Sequence, residues 1–113
     1  MTADEFREIA LSFPKSEERS HMDHPDFRVK GKIFATLTSD LMTGMAKLSP
    51  EQQQNFLRME PMTFYPASGV WGTRGATMIT LANAREDAFE DAETIAYLGR
   101  KIVARCEASG LSR

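Results

Sequence analysis

The sequence predicts a single α+β domain spanning residues 1–113, built as a two-layer sandwich in which helices pack on one face of an antiparallel sheet. Three observations lead to this prediction. Segments with the apolar period of a helix occur near both ends of the chain and once in the middle. Segments that alternate apolar and polar residues lie between them, joined by turns too short for parallel crossovers. Amphipathic helices need an apolar surface to cover, and one sheet face supplies it.

The first helix is predicted by its cap. Thr2 and Glu5 have the spacing of a capping box, in which each side chain accepts a hydrogen bond from a backbone N–H of the other residue. Apolar residues then follow at helical spacing: Phe6, Ile9, Ala10 and Phe13. Pro14 is expected to end the helix, because proline cannot continue it.

A β-hairpin is predicted next. Phe27 and Val29 alternate with polar residues, Gly31 supplies a turn, and the alternation resumes after it. This period directs one set of side chains to the core: Phe27, Val29, Ile33, Ala35 and Leu37. It places a second set together on the opposite face: Arg28, Lys30, Lys32 and Phe34. Strands are also predicted at residues 42–48 and, from a weak signal, at residues 17–22.

The second half of the chain predicts two helices and a strand. Ser49, Pro50 and Gln52 mark a helix start, with a capping serine, a proline at the first position and glutamine at the third. Residues 64–69 predict a loop, residues 72–75 a glycine-bounded break, and residues 77–81 a last strand. Asn83 and Glu86 repeat the capping spacing and open the longest predicted helix, whose apolar stripe ends at Cys106.

Composition limits the classes of function. No apolar run approaches the roughly 18 residues of a membrane span, so a membrane is not an expected partner. The N-terminus carries no secretory signal, and the single cysteine suits a reducing compartment, so we expect a cytoplasmic protein. The net charge is −2 and the pI about 5.7. Nucleic-acid binding would therefore depend on locally clustered cations.

Side chains that could carry chemistry do not assemble into a recognisable catalytic or metal site. His21 and His24 lie close to Asp23 and Asp26, but four ligands are needed to close a structural zinc site, and a solvated turn is the more common meaning. Cys106 falls on an apolar helix stripe, where a thiol is buried and inert. We expect no metal, no cofactor and no enzymatic activity.

Two segments are candidate binding surfaces. Arg28, Lys30 and Lys32 would contact phosphates while Phe34 stacks on a base, although a solvated hairpin with no ligand fits the same pattern. Trp71 lies beside Arg74 in a glycine-bounded segment, which is typical of a ligand or partner surface. The same tryptophan would equally suit a position at one end of the core.

Several of these segments together resemble the MmcQ/YjbR family, over about residues 6 to 105. The resemblance is carried by Phe13-Pro14, the hairpin at residues 26–37, Phe64-Tyr65-Pro66, Trp71-Gly72 through Gly75-Ala76-Thr77, and Leu81. It implies an antiparallel sheet with helices on one side, related to frataxin-like and secretion-chaperone-like folds. Members are commonly labelled DNA-binding through a double-wing arrangement of hairpins. The wing would correspond here to Arg28, Lys30, Lys32 and Arg74.

The leading hypothesis is therefore a non-enzymatic domain that binds DNA or another nucleic acid through the basic hairpin. A second hypothesis is a protein-interaction module that uses the open sheet face or the acidic start of the last helix. A third is a small-ligand pocket near Trp71. A basic surface favours the first, an exposed apolar patch the second, and a deep pocket with convergent polar groups the third.

Overall fold

A computed structural model describes residues 1–12 and 14–84. The helices are α1 (Ala3–Leu11), α2 (Pro50–Met59) and α3 (Gly69–Thr73), and a 3-10 turn (Leu81–Asn83) follows the last strand. The strands are β1 (Ser16–His21), β2 (His24–Val29), β3 (Lys32–Leu37), β4 (Thr43–Lys47), β5 (Phe64–Pro66) and β6 (Ala76–Thr80). The long helix predicted after Asn83, with its Cys106 stripe, lies outside the described residues.

The six strands form one antiparallel sheet in the order β1-β2-β3-β4-β6-β5. The first four follow the chain, and β6 then lies between β4 and β5. Helices α1 and α2 cover one face: Phe6 of α1 packs edge-on against Phe27 with 6.0 Å between ring centroids, and Phe56 of α2 lies 5.0 Å from Phe64. The predicted fold class is confirmed. In the part of the chain described, no helix is both long enough and apolar enough to cross a bilayer.

Both predicted helix starts are formed by reciprocal caps. The Thr2 hydroxyl accepts from the Glu5 N–H at 3.1 Å, and the Glu5 carboxylate accepts from the Thr2 N–H at 2.6 Å. Ser49 and Gln52 make the same pair of bonds at 3.1 and 3.0 Å. These bonds satisfy backbone donors that the first turn of a helix leaves without partners.

Two segments differ from the prediction. Residues 64–66, predicted as a loop, form strand β5, which pairs with β6 at the end of the strand order. A three-residue edge strand lacks the alternation of a longer strand, and a proline such as Pro66 weakens the prediction of a strand. The glycine-bounded segment is not a simple break, because Gly72 lies inside the short helix α3.

The β2–β3 hairpin contains a bulge that the alternation did not reveal. Its turn is Lys30–Gly31, with φ values of 54° and 78°, the two left-handed residues of a type I′ turn. Phe27 then pairs with Ala35 but Arg28 pairs with Ile33, which leaves Phe34 as an extra residue in β3.

The bulge corrects the predicted faces of the hairpin. Phe34 is 2% exposed and belongs to the core, so its predicted position beside the cations was wrong. Ile33, predicted to face the core, instead shares the face of Arg28, because directly paired residues point to the same side of a sheet.

Helix α3 packs closely against the backbone that leads into it and is hydrogen-bonded to α2. A Cβ added at Gly72 would lie 1.8 Å from the carbonyl oxygen of Ala67, so only glycine fits. The buried Gln53 of α2 donates from Nε2 to the carbonyl oxygens of Gly72 and Ala76, both at 3.0 Å. These contacts fix the position of the residue next to Gly72, which is Trp71.

Candidate nucleic-acid interface on the open sheet face

The sheet face opposite α1 and α2, here called the open face, carries a row of paired residues that crosses the sheet. Asp26 of β2 pairs with Thr36, Thr36 with Met45, Met45 with Met78, and Met78 with Tyr65. Because paired residues share a face, the register alone brings these five side chains to one side. The open face is therefore acidic and polar at β2 and apolar towards β5.

A groove of about 390 Å³ lies on this face. Ile33, Thr36 and Met45 line it along β3 and β4, His21 lies at the β1 side, and α3 contributes Trp71. Trp71 is 60% exposed, which does not fit the interpretation that it only closes one end of the core.

Lys47, at the end of β4, lines the same groove, and its Nζ lies 5.6 Å from the centroid of the Trp71 ring. An ammonium at this distance from an indole face makes a cation–π contact. Lys47 was not among the residues predicted from the sequence. The alternation of side chains along β4 could have placed it in the groove, because it puts Lys47 on the same face as Met45.

Asp26 organises the β2 side of the open face. Its fully buried carboxylate accepts from Arg28 Nε at 2.7 Å, from Arg28 Nη2 at 3.0 Å and from His21 Nδ1 at 2.6 Å. The hydrogen bonds from Arg28, helped by the one from His21, hold the pKa of Asp26 below its usual range against the opposing effect of burial. Asp26 is therefore ionised at neutral pH.

This carboxylate changes the predicted role of Arg28. Two of its guanidinium donors are committed to Asp26, and the same hydrogen bonds raise the pKa of Arg28. Arg28 is only partly exposed and neutralises a buried charge, so it is less available to a phosphate than a free lysine.

In the described part of the chain, five exposed cations lie at one end of the sheet, which we call the basic end: Lys15, Lys30, Lys32, Lys47 and Arg74. The start of β3 meets the end of β4 there, since Ala35 pairs with Ala46 and Leu37 with Gly44. Among residues 1–12 and 14–84, none of the five cations forms an ion pair.

The faces of the hairpin cations also differ from the prediction. Lys32 pairs with Val29, whose side chain is in the core, so Lys32 points to the helix side of the sheet while Arg28 points to the open face. The expectation of one shared basic face was wrong. The cations instead surround the end of the sheet.

Acidic side chains concentrate at the opposite end in the described part of the chain. Asp23 lies in the β1–β2 turn and Asp40 in the β3–β4 loop, while Asp4 begins α1 near the far end of β6. Other acids lie closer to the basic end, among them Glu17, which pairs with Arg19 at 3.1 Å, Glu18, which pairs with Arg7 at 2.7 Å, and Glu51 in the first turn of α2. This segregation leaves a local basic surface on a chain with an acidic pI.

The histidine pair shows stacking rather than ligand geometry. The rings of His21 and His24 lie 6.0 Å apart and nearly parallel, and His21 is bonded to Asp26. Within the residues that the structure describes, no group of three or more histidine, cysteine, aspartate or glutamate side chains is placed to hold a metal ion.

Comparison with protein families gives one decisive result: the model of the YjbR family matches residues 11–104. The chain belongs to the YjbR family. The resemblance predicted from the sequence is thus confirmed, and the family is one of domains of unknown function. No curated protein matches the chain.

A solved structure supports the same fold. The crystal structure of the Deinococcus radiodurans protein DR2400, with its DUF419 domain, is similar to this YjbR-family chain with a TM-score of 0.67 and 19% identity. The similarity covers 89% of this chain and 72% of DR2400. At this identity the likeness establishes the architecture, and function has to be argued from the open face itself.

Proposed function

We propose that this domain binds nucleic acid at the basic end, with a preference for single strands. The observation that carries the proposal is that five exposed cations, which form no ion pairs among the described residues, lie at the same end of the sheet as the exposed Trp71. Cations neutralise phosphates without regard to sequence, and an exposed aromatic ring stacks on an unpaired base. A duplex keeps its bases stacked on each other and therefore offers no free base face to Trp71.

The proposal retains part of the sequence hypothesis and changes the rest. Lys30 and Lys32 at the hairpin turn, together with Arg74 after α3, remain phosphate contacts. Lys47 joins them, because it is exposed and borders Trp71. Trp71 takes the stacking role that was assigned to Phe34, which is buried. Arg28 is no longer assigned a phosphate contact, because two of its donors are bonded to Asp26.

No catalytic step belongs to this proposal, and we expect the binding to take place in the cytoplasm. The groove presents hydrogen-bonding and stacking groups, and the YjbR family is not known for enzymatic activity. Contacts are to the backbone and to the face of a base, so affinity should vary little among sequences of the same length.

Replacing Lys30, Lys32 and Lys47 together by glutamine tests the proposal. Each neutralised phosphate of a single strand adds about −0.7 to the slope of log affinity against log salt, so the triple variant should lose a slope of about 2. The measurement is a fluorescence-anisotropy titration of a labelled oligonucleotide at several salt concentrations. Wild type should also bind the single strand more tightly than the duplex of the same sequence.

Arg58→Gln is the control for this titration. Arg58 is an exposed cation in the last turn of α2, away from the basic end, and its removal changes the net charge without touching the proposed surface. A control variant that lowers the slope as much per charge as the triple variant would show that only net charge matters. Absence of wild-type binding at low salt would overturn the proposal.

A protein partner is the second candidate, and one observation favours it. Tyr65 of β5 and Val70 and Trp71 of α3 are large apolar residues that are exposed, and exposed apolar patches often mark protein interfaces. The acidic helix start that the sequence offered as another docking site lies outside the described residues. The oligonucleotide titration decides between the two candidates, because a protein interface of this kind gives no salt-dependent affinity for single strands.

A further inference from the structure

We propose that the groove beside Trp71 receives one nucleotide, with its base stacked on the indole, its phosphate at Lys47 and a base amino group bonded to Nε2 of His21. The inference rests on the proposed function in one respect: the nucleotide is taken to be an unpaired nucleotide of a bound strand. It adds a defined site for a single base to a surface that otherwise contacts only backbone and charge.

His21 carries the hydrogen-bonding part of the inference. The ionised Asp26 accepts at 2.6 Å from Nδ1, so Nδ1 bears the ring proton. In the neutral imidazole the other nitrogen, Nε2, is then an acceptor, and it has no hydrogen-bond partner among the described residues. Because Asp26 is fully buried and also held by Arg28, the orientation of the imidazole is fixed before a ligand arrives.

The groove has the size and lining for a planar ring. Its volume of about 390 Å³ lies near the lower end of the range of roughly 300–1,000 Å³ found for small-molecule sites. Ile33 and Met45 supply apolar contacts, Trp71 offers an exposed aromatic face, and His21 lines the opposite side. A ring that stacks on Trp71 is thereby placed in the same groove as the free imidazole nitrogen.

Charge selects an anionic ligand. The Lys47 ammonium lies 5.6 Å from the Trp71 ring centroid, so a ligand stacked on the indole would hold a substituent within reach of this cation. An acceptor at His21 favours bases that carry an amino group, and AMP combines such a base with a phosphate. AMP is therefore the probe of choice.

The intrinsic fluorescence of Trp71 reports directly on the site, because it is the only tryptophan in the chain. AMP should quench this fluorescence in a saturable way, with excitation at the red edge of the indole band to avoid absorption by adenine. Adenosine, which lacks the phosphate, should bind more weakly, and ribose 5-phosphate, which lacks the ring, should not quench. Purine riboside 5′-monophosphate, which lacks the amino group, should bind about five- to tenfold more weakly than AMP.

Variants separate the three contacts. His21→Ala should weaken AMP about five- to tenfold and abolish its advantage over the purine riboside monophosphate. Lys47→Gln should abolish the preference for AMP over adenosine. Arg58→Gln is the control, because Arg58 lies in the last turn of α2, does not line the groove, and its removal should leave AMP binding unchanged. Melting temperatures establish that each variant is folded.

The combined titrations distinguish the inference from the function on which it rests. Oligonucleotide binding without saturable AMP quenching, or AMP binding unchanged in His21→Ala and in the purine riboside monophosphate, would overturn the inference and leave the proposed function standing. AMP binding that depends on His21 and Lys47, with no strand binding at low salt, would support the nucleotide site and overturn the proposed function, making a free nucleotide the source. Binding of neither probe would overturn both.

Discussion

Gly72→Ala is expected to destabilise the domain by about 3 kcal/mol, the upper end of the usual cost of overpacking. The added methyl would lie 1.8 Å from the carbonyl oxygen of Ala67, and no side-chain rotation relieves a clash with backbone. The clash would also displace the Gly72 carbonyl, which accepts a hydrogen bond from the buried Gln53 and so attaches α3 to α2. At this size the melting temperature should fall by roughly 10–20 °C.

Thr73→Ala is the matched control for this substitution. Thr73 follows Gly72 in the same helix, is exposed, and makes only a long 3.4 Å hydrogen bond to Gly69. Its replacement should stay within about 0.5 kcal/mol of wild type, as surface substitutions usually do. Thermal unfolding followed by circular dichroism measures both variants. Equal melting temperatures for Gly72→Ala and Thr73→Ala would contradict the close packing of α3.

Asp26→Asn should have the second-largest effect on stability, a loss of about 2 kcal/mol at neutral pH. Removing one partner of a buried ion pair typically costs about 3–5 kcal/mol, and the smaller value is expected here because Arg28 and His21 both reach solvent. Asparagine keeps the shape of aspartate but removes the charge that two donors of Arg28 and one of His21 now share.

The effect of Asp26→Asn should also depend on pH. The pKa of Asp26 is lowered in the folded protein by the hydrogen bonds from Arg28, whereas an unfolded aspartate titrates near about 3.9. The stabilisation is therefore complete above about pH 4 and is lost as the pH falls through the lower folded value. Urea unfolding at pH 7 and in acid should show the gap between wild type and variant closing in acid.

Asp23→Asn provides the comparison for this pH series. Asp23 is an exposed residue of the β1–β2 turn, and its replacement should change stability by no more than about 0.5 kcal/mol. If Asp26→Asn were as stable as Asp23→Asn at pH 7, the Asp26 cluster would not hold the sheet together. A gap that stayed constant down to strongly acidic pH would contradict the lowered pKa.

Helix starts were predictable from the sequence because their causes are local. Thr2 with Glu5, and Ser49 with Gln52, each complete a pair of hydrogen bonds across three residues, and no distant contact is required. Strand β5 was missed for the opposite reason. Its three residues pair with β6, and only the fold brings that partner alongside.

The site was predictable only in part. Trp71 was named as a candidate from the sequence, but its exposure could not be predicted, because it depends on how the segment around Gly72 packs. The commitment of Arg28 to Asp26 did have a signal, because residues two apart in a strand share a face. Lys47 was predictable for the same reason, because it lies two residues after Met45 in β4 and therefore shares its face. Phe34 could not be placed correctly, since a bulge interrupts the alternation on which the prediction relied.

The bulge at Phe34 also affects how this chain is compared with distant relatives. A relative with a regular strand in place of β3 has one residue fewer between the positions that match Ile33 and Ala35. The correct alignment then places a one-residue gap inside a strand, where alignment methods usually penalise gaps most heavily. Shifting that gap into the Lys30–Gly31 turn would equate groove residues with core residues over the first part of β3 and give a false pattern of conservation on the open face.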